Sequence, residues 1–203
     1  MKIDPKHEDS EELYKLITST VVPRPIAWVS TIGDNGVYNL APFSVYGILG
    51  YNPPIVYISI GSKGKGQKKD TLLNIEYSKD FVINVVSESM AQAMNQSSAN
   101  FPRDVSEFKE VGVTPIKADL VKSPMVRESP VNMECILSNI MEFGQLPRKN
   151  SVVIGEVVQI HIKDELYIDG NIQFARLKPL GRLSGNLYCH TTDIFEIKRP
   201  SLP

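Results

Sequence analysis

V-P-R-P-I-A-W-V-S-T-I-G-D-N-G-V-Y-N-L-A-P-F-S, running from Val22 to Ser44, is the stretch that decides the fold. Pro23-Arg24-Pro25 is a stiff lead-in, because proline fixes φ and biases the preceding residue towards extended geometry. Ile26 to Ile32 is rich in β-branched and aromatic residues and reads as a strand. Gly33-Asp34-Asn35-Gly36 is turn chemistry, and Val37 to Ser44 returns as a second strand. A hairpin that sets Arg, Ser, Thr and Asn close to Pro, Trp and Ala suits a flat polar ligand.

Working outward, Gly61 to Asn74 (G-S-K-G-K-G-Q-K-K-D-T-L-L-N) is a basic, glycine-rich loop that runs into a helix start. Backbone amides, lysines and a threonine at a helix N-terminus form an anion site. Lys69, Asp70 and Thr71 are the candidate phosphate cradle; the alternative is a solvated loop in which Asp70 caps the helix. The loop is not a nucleotide-binding P-loop, because Gln67 stands where that motif requires lysine. Together the two stretches suggest a ligand with a phosphate at one end and a ring system at the other.

The 203 residues, 42% of them hydrophobic, suffice for a single globular domain over 1–203 with a substantial core. A formal net charge of -1 argues against a nucleic-acid partner. No apolar run is long enough to span a bilayer, and the polar opening Met1 to Lys6 lacks a signal-peptide core, so a cytoplasmic location without membrane partner is expected. Cys135 and Cys189, the only two cysteines, form neither a disulfide framework nor a metal spacing.

Along the rest of the chain, Asp9 and Glu12 mark a capped helix ending near Ser19, with Leu13, Leu16 and Ile17 on one side. Strands are expected at 55–60, 80–86, 131–143 and 151–162, and helices at 70–77 and 89–100, with a helical turn at 106–109. Gly144 to Asn150 is a hairpin-like loop and Asp169-Gly170 a turn. Strands dominate and helices are inserted between them, so the expected class is a mainly β, closed or nearly closed antiparallel barrel.

Other residues carry competing readings. The Arg24 guanidinium has the fork geometry to pair with a phosphate, but an isolated arginine is more often exposed or paired with a carboxylate. Trp28 reads best as a core aromatic, while Ser30 and Thr31 alternate with it, so that at least one faces a cavity or solvent. Asn39-Leu40-Ala41-Pro42-Phe43-Ser44 holds a proline inside a strand, which marks an edge or bulge where backbone groups are open to a ligand. Cys189 and His190 are strand neighbours that point to opposite faces, which argues against a nucleophile–base pair. No Ser/His/Asp or zinc spacing involves His7, His161 or His190, so a hydrolase and a zinc enzyme are excluded.

In this order, P-R-P-I-A-W-V-S-T (23–31), N-L-A-P-F-S (39–44), P-P-I-V-Y-I-S (53–59), K-D-T-L-L-N-I (69–75) and F-V-I-N-V (81–85) resemble the flavin reductase-like FMN-binding split-barrel family. That family includes flavoredoxins and the small reductase components of two-component monooxygenases. I-G-E-V-V (154–158) and G-R-L-S-G-N-L-Y (181–188) fit it too, so the resemblance covers nearly the whole chain. It implies a Greek-key split β-barrel and a homodimer with one FMN per subunit near the interface. It implies that Arg24, Ala27, Trp28, Val29, Ser30 and Thr31, with Asn39, Leu40, Ala41, Pro42 and Ser44, line the isoalloxazine and ribityl chain. Lys69, Asp70 and Thr71 then sit by the phosphate. Relatives have a tighter histidine- and glycine-containing stretch where this chain has Arg182 to Tyr188, a departure that bears on pyridine-nucleotide use.

The resemblance implies an FMN-dependent oxidoreductase that takes hydride from NADH or NADPH. The protein's part in such chemistry is to position the ring and tune its potential, so no conventional catalytic constellation is needed. The alternatives are a flavoredoxin-like electron carrier served by an electron-transfer or monooxygenase partner, and a non-catalytic FMN-binding module.

Overall fold

The structure is a computed structural model and describes residues 1–200. Helix α1 (Ser10–Thr20) precedes strands β1 (Ala27–Ile32), β2 (Tyr38–Phe43), β3 (Tyr46–Tyr51) and β4 (Pro54–Gly61). Helix α2 (Asp70–Ser78), strand β5 (Asp80–Val85) and helices α3 (Ala91–Gln96) and α4 (Glu107–Glu110) follow. The second half holds the short strands β6 (Pro115–Ile116) and β7 (Met125–Val126), the long strands β8 (Val131–Phe143) and β9 (Asn150–Ile162), then β10 (Tyr167–Ile168), β11 (Asn171–Ile172), α5 (Phe174–Leu177), β12 (Leu180–Arg182) and β13 (Tyr188–His190).

Seven strands form one antiparallel sheet in the order β2-β1-β5-β8-β9-β4-β3. Its two edges, β2 and β3, are consecutive in sequence and joined only by Ser44 and Val45. Such a short link forces the sheet to curl until its edges meet, and the link itself is held to the sheet where the Ser59 N–H of β4 donates to the Val45 carbonyl at 2.8 Å. The result is the split barrel that the strand pattern leads one to expect. The 23–44 hairpin forms as read, with Gly36 at φ +75° supplying the turn conformation that side chains disfavour.

Alternate residues of the strands fill the barrel. Ala27 and Val29, Val56, Ile58 and Ile60, Phe81 and Ile83, and Val153 and Val157 form its interior, with Leu72 and Ile75 of α2 in the same cluster. Burying an aliphatic or aromatic side chain of this size contributes about 1.5–3 kcal/mol. Gly155 is required there, since a Cβ would stand 2.5 Å from the Phe81 ring. The opposite face of β1 and β2 is covered as well: Trp28 and Leu40 pack with Met90, Met94, Phe108 and Val126. The inserted segments around α3 and α4 thus make β1 a strand buried on both sides.

Several elements differ from the sequence expectation. β3 is a full strand although Gly47 and Gly50 weaken its pattern. The helix expected at 89–100 is shorter: a single 3₁₀ turn leads into α3, which ends at Gln96. α1 begins as read, with the Asp9 side chain accepting from the Glu11 N–H at 2.7 Å, but none of its residues is buried. Leu16, Ile17 and Tyr14 are all exposed, so its apolar side has no cover within the chain.

Cys135 is buried in the barrel, and burial, with Glu134 beside it, pushes its thiol far up, so it is unreactive. His190 pairs with Glu88 at 2.7 Å and not with Cys189. Two buried carboxylates pin the loop between β6 and β7. Asp80 accepts from the Lys122 and Ser123 amides. Glu134, fully buried, accepts from the amides of Asp119, Leu120 and Val121 and bonds His161 Nε2 at 2.6 Å. Burial alone would raise the Glu134 carboxyl, but these bonds outweigh it and hold the group below the usual carboxylate range.

Replacing Glu134 by Gln turns one acceptor into a donor amid three donors. We expect a loss of about 1–3 kcal/mol in urea unfolding at neutral pH. Because the folded-state carboxyl titrates below its unfolded value, its contribution is present above the ordinary carboxylate range and fades as pH falls through the lowered value. Glu134→Gln should therefore lose less stability than wild type between neutral and acidic pH; parallel acid profiles would contradict this.

Candidate functional site

The site lies outside the barrel, along β2. A small groove of about 40 Å³ is lined by Asn39 and Ala41 of β2, by Lys63, Lys69, Asp70 and Thr71, and by the Ser97–Phe101 turn and Glu107. A larger cavity of about 380 Å³ adjoins it, lined by Arg24, Ile26, Pro42, Phe43 and Ser44, by α1 and α3, and by the segment from Arg182 to Tyr188. Ser98 lines both. Ala41 faces the first and its neighbour Pro42 the second, so β2 runs from one to the other.

Positive charge gathers at the small groove. The α2 N-terminus has no side-chain cap, since Lys69 occupies the N-cap position. Its first-turn amides carry the positive end of the helix dipole. Lys69 is half-buried and lies 5.4 Å from the centre of the Phe43 ring. Burial, and then the charge of Lys63, lower its ammonium below the ordinary lysine value. Among the described residues Lys69 forms no ion pair, while its neighbours do: Asp70 pairs with Lys63 and, at 3.4 Å, with Arg103. Arg103 also holds Asp34 at 2.7 Å. The corner therefore keeps one desolvated cation free beside neutralised pairs.

A polar network fixes the groove wall. The Thr71 hydroxyl donates to Asn39 Oδ1 at 2.8 Å, and Asn39 Nδ2 donates to Glu107 Oε1 at 2.7 Å. The Leu40 N–H donates to the other Glu107 oxygen at 2.9 Å, and Asn74 Nδ2 donates to Thr31 Oγ1 at 3.0 Å. Burial raises the Glu107 carboxyl, against the pull of these bonds. Trp28 Nε1 donates to Ser97 Oγ at 2.9 Å and so anchors the turn opposite.

The sequence candidates fall into three groups. Asn39, Ala41, Lys69, Asp70 and Thr71 meet in the small groove, although the Thr71 hydroxyl directs its proton to Asn39. Arg24, Pro42 and Ser44 line the larger cavity. Ala27, Trp28, Val29, Ser30, Thr31 and Leu40 line neither, because they are fully buried in the two cores or their polar seam. Ser30 and Thr31 resolve their expected exposure differently: both face the interior, where Ser30 bonds the Pro124 carbonyl and Thr31 bonds Asn39. Arg24 is neither exposed nor paired with a carboxylate. It is buried, and its guanidinium donates to the carbonyls of Thr18, Val21 and Leu183. It ties the end of α1 to the β12–β13 hairpin.

Sequence reasoning missed the Ser97–Phe101 turn, Lys63, Glu107 and the α1 residues Tyr14 and Thr18. The run of small polar residues from Ser97 to Asn100 was a usable signal, obscured by extending the helix through it.

With this geometry in hand, the comparisons are consistent. A family model described as flavin reductase like domain matches residues 19–177. An uncharacterized protein of Halalkalibacterium halodurans is 37% identical over 204 residues, covering 100% of this chain and 98% of the relative. The crystal structure of nitrilotriacetate monooxygenase component B from Bacillus cereus superposes with a TM-score of 0.93 at 34% identity, covering 97% of this chain and 98% of that one. The structure of 2-nitrobenzoate 2-nitroreductase from Pseudomonas fluorescens gives 0.90 at 32% identity, covering 100% and 98%.

Proposed function

Since this chain belongs to the flavin reductase like domain family, we propose that it is an FMN-dependent oxidoreductase that accepts hydride from NADH or NADPH. The observation that carries the reading is Lys69, a half-buried cation with no ion-pair partner among the described residues, at an uncapped helix N-terminus and facing a groove that opens along β2 into a ring-sized cavity. Apart from the Phe43 ring beneath it, a desolvated ammonium in that position is best stabilised by an anion brought from outside. A mononucleotide fits the layout: one anion corner, one polar strip and one broad cavity.

When bound, FMN supplies reversible hydride and single-electron chemistry at its ring. The chain's own residues do the rest. Lys69 and the first amides of α2 hold the phosphate. Asn39, oriented by Glu107 and Thr71, and the backbone of β2 position the chain leading to the ring. Pro42, Phe43 and Ser44 form one wall of the cavity, and Arg24 keeps α1 and the β12–β13 hairpin closed over it. Among the lining residues of the larger cavity there is no carboxylate or histidine to act as proton donor or acceptor, which suits a hydride transfer that needs none.

The reading extends to a homodimer with the cofactor near the seam. The exposed apolar side of α1, with Tyr14 beside the cavity, and the exposed Ile48, Leu49 and Tyr51 of β3 lack cover within the chain. An apolar surface of this kind marks an interaction site. A partner in electron transfer or monooxygenation would take the reduced product.

Three outcomes test this function. The purified protein should release FMN, not FAD, on denaturation, and its flavin should bleach on anaerobic mixing with NADH or NADPH. A flavin that binds but stays oxidised with both would favour the electron-carrier reading; recovery of FAD or of no flavin would overturn the FMN assignment. Lys69→Met should weaken FMN roughly ten- to hundredfold, as expected for a hydrogen bond to a charged group of about 1.5–3 kcal/mol, and leave riboflavin nearly unchanged. In wild type, FMN affinity should fall as pH rises through the lowered Lys69 value, because the ammonium loses its proton, and Lys69→Met should lack that step; equal losses for both ligands would show that Lys69 acts through the fold. Sedimentation over a dilution series should give a dimer that dissociates more readily without FMN; a fully FMN-loaded monomer at high concentration would remove the shared-seam model.

A further inference from the structure

Away from both cavities, three segments bring a histidine and two carboxylates to one point. Asp119 comes from the loop between β6 and β7, Glu134 from β8 and His161 from β9, and none of them lines either cavity. No spacing in the chain announces the set, because the pairing of β8 with β9 and the folding of the loop over β8 assemble it. His161 Nε2 stands 2.6 Å from Glu134 Oε1 and 4.0 Å from Asp119 Oδ2. One ligand atom from each residue lies within 4.8 Å of the other two, and no other such trio converges among the described residues.

The charges at this point do not balance. Glu134 is fully buried, yet the amides of Asp119, Leu120 and Val121 hold its carboxyl below the usual range, so it is ionised. Asp119 adds a second, exposed carboxylate. Among the described residues neither acid is paired with a lysine or arginine, and they share one imidazole. A protonated His161 would cancel only one of the two negative charges, so a doubly charged cation suits the point better. The three amides also fix Glu134 as a rigid inner ligand, while the exposed side of Asp119 leaves a path for entry from solvent.

The donor set and the distances select the class of ion. Imidazole nitrogen with two carboxylates suits zinc better than magnesium or calcium, which take oxygen ligands alone. Around tetrahedral zinc, bond lengths of about 2.0–2.2 Å place neighbouring ligand atoms about 3.3 Å apart. The two separations at His161 Nε2, 2.6 and 4.0 Å, straddle that value. The His161–Glu134 contact has to open and the Asp119 carboxylate to close, each by less than about 1 Å. The proton that Nε2 now shares with Glu134 gives way to the ion, and His161 binds as neutral imidazole.

We propose that Asp119, Glu134 and His161 form a zinc site that staples the 117–124 loop to β8 and β9. Three protein ligands leave the fourth position to water, and the role is structural. The loop is worth stapling: the Pro124 carbonyl accepts from Ser30 of β1, and Ala118 and Val121 pack with Val82 of β5. The proposal stands apart from the flavin reading, since none of its residues touches the groove or the larger cavity.

The test uses the full-length protein as purified, with bound metal removed by a chelator that is then dialysed away. Zinc is titrated by calorimetry, and cobalt(II), its coloured substitute, is followed to the red of flavin absorption. Wild type should bind one zinc per chain and melt about 5–10 °C higher when free zinc stands a hundredfold above its dissociation constant. Cobalt should give visible bands that zinc abolishes and magnesium does not. His161→Gln keeps a donor for Glu134, and Asp119→Ala changes an exposed side chain, so its metal-free melting should stay near that of wild type. Each should weaken zinc at least about tenfold, since even the loss of a group behind a ligand costs that much. Wild type that neither binds zinc nor gains melting temperature would overturn the proposal. So would zinc affinity undiminished in either variant, which would mark adventitious binding at another surface histidine.

Discussion

The two-residue link between β2 and β3 governs this molecule. Because Ser44 and Val45 join the two edges of one sheet, the sheet must close on itself, and its interior becomes narrow enough to be filled by Val, Ile, Phe and Ala side chains. A packed barrel of that size leaves no room for a ligand inside. The site is therefore displaced to the outer side of β2, where the strand runs into the split. There the inserted segments that carry α3 and α4 on one side, and α1 with the β12–β13 hairpin on the other, build walls against it.

The same displacement explains the electrostatics. At the barrel's rim, helix α2 presents its N-terminus to the groove, and Lys69 is caught between Phe43 and the helix, too far from any carboxylate to pair. Asp70, its neighbour in the chain, is already engaged by Lys63 and Arg103. Deep carboxylates elsewhere have their own partners: Glu107 holds Asn39 and the Leu40 amide, Glu134 holds the 119–121 amides and His161, and Asp80 holds the 122–123 amides. These carboxylates are committed to pinning loops, while Lys69, Arg24 and Arg182, beside the two cavities, form no ion pair among the described residues. A protein that must hold an anionic cofactor and orient it without proton chemistry of its own can be built this way.

Much of this was legible in the sequence, and for a physical reason. The strands at 27–32, 38–43, 54–61, 80–85, 131–143 and 150–162 show as β-branched and aromatic runs between turn residues, since local burial dictates residue type. The basic, glycine-rich loop before α2 was legible as well, but the sequence left open whether it is an anion corner or a solvated loop. The antiparallel barrel followed from the order of these elements.

What only the tertiary structure decided is who faces whom. Trp28, Ala27 and Val29 sit in a strand that looks half-exposed by alternation, yet α3, α4 and the 117–126 loop cover its second face, and their arrival is a long-range event. Arg24 and Arg182 are both plain arginines in sequence. One is buried against three carbonyls from two segments and the other lies over an aromatic ring beside the cavity, because the β12–β13 hairpin folds back onto the 24–26 lead-in from more than a hundred and fifty residues away in the chain. Composition and spacing determine the elements and place a basic loop before α2; the closure of the sheet determines the cavity, since its walls come from segments whose meeting no local pattern records.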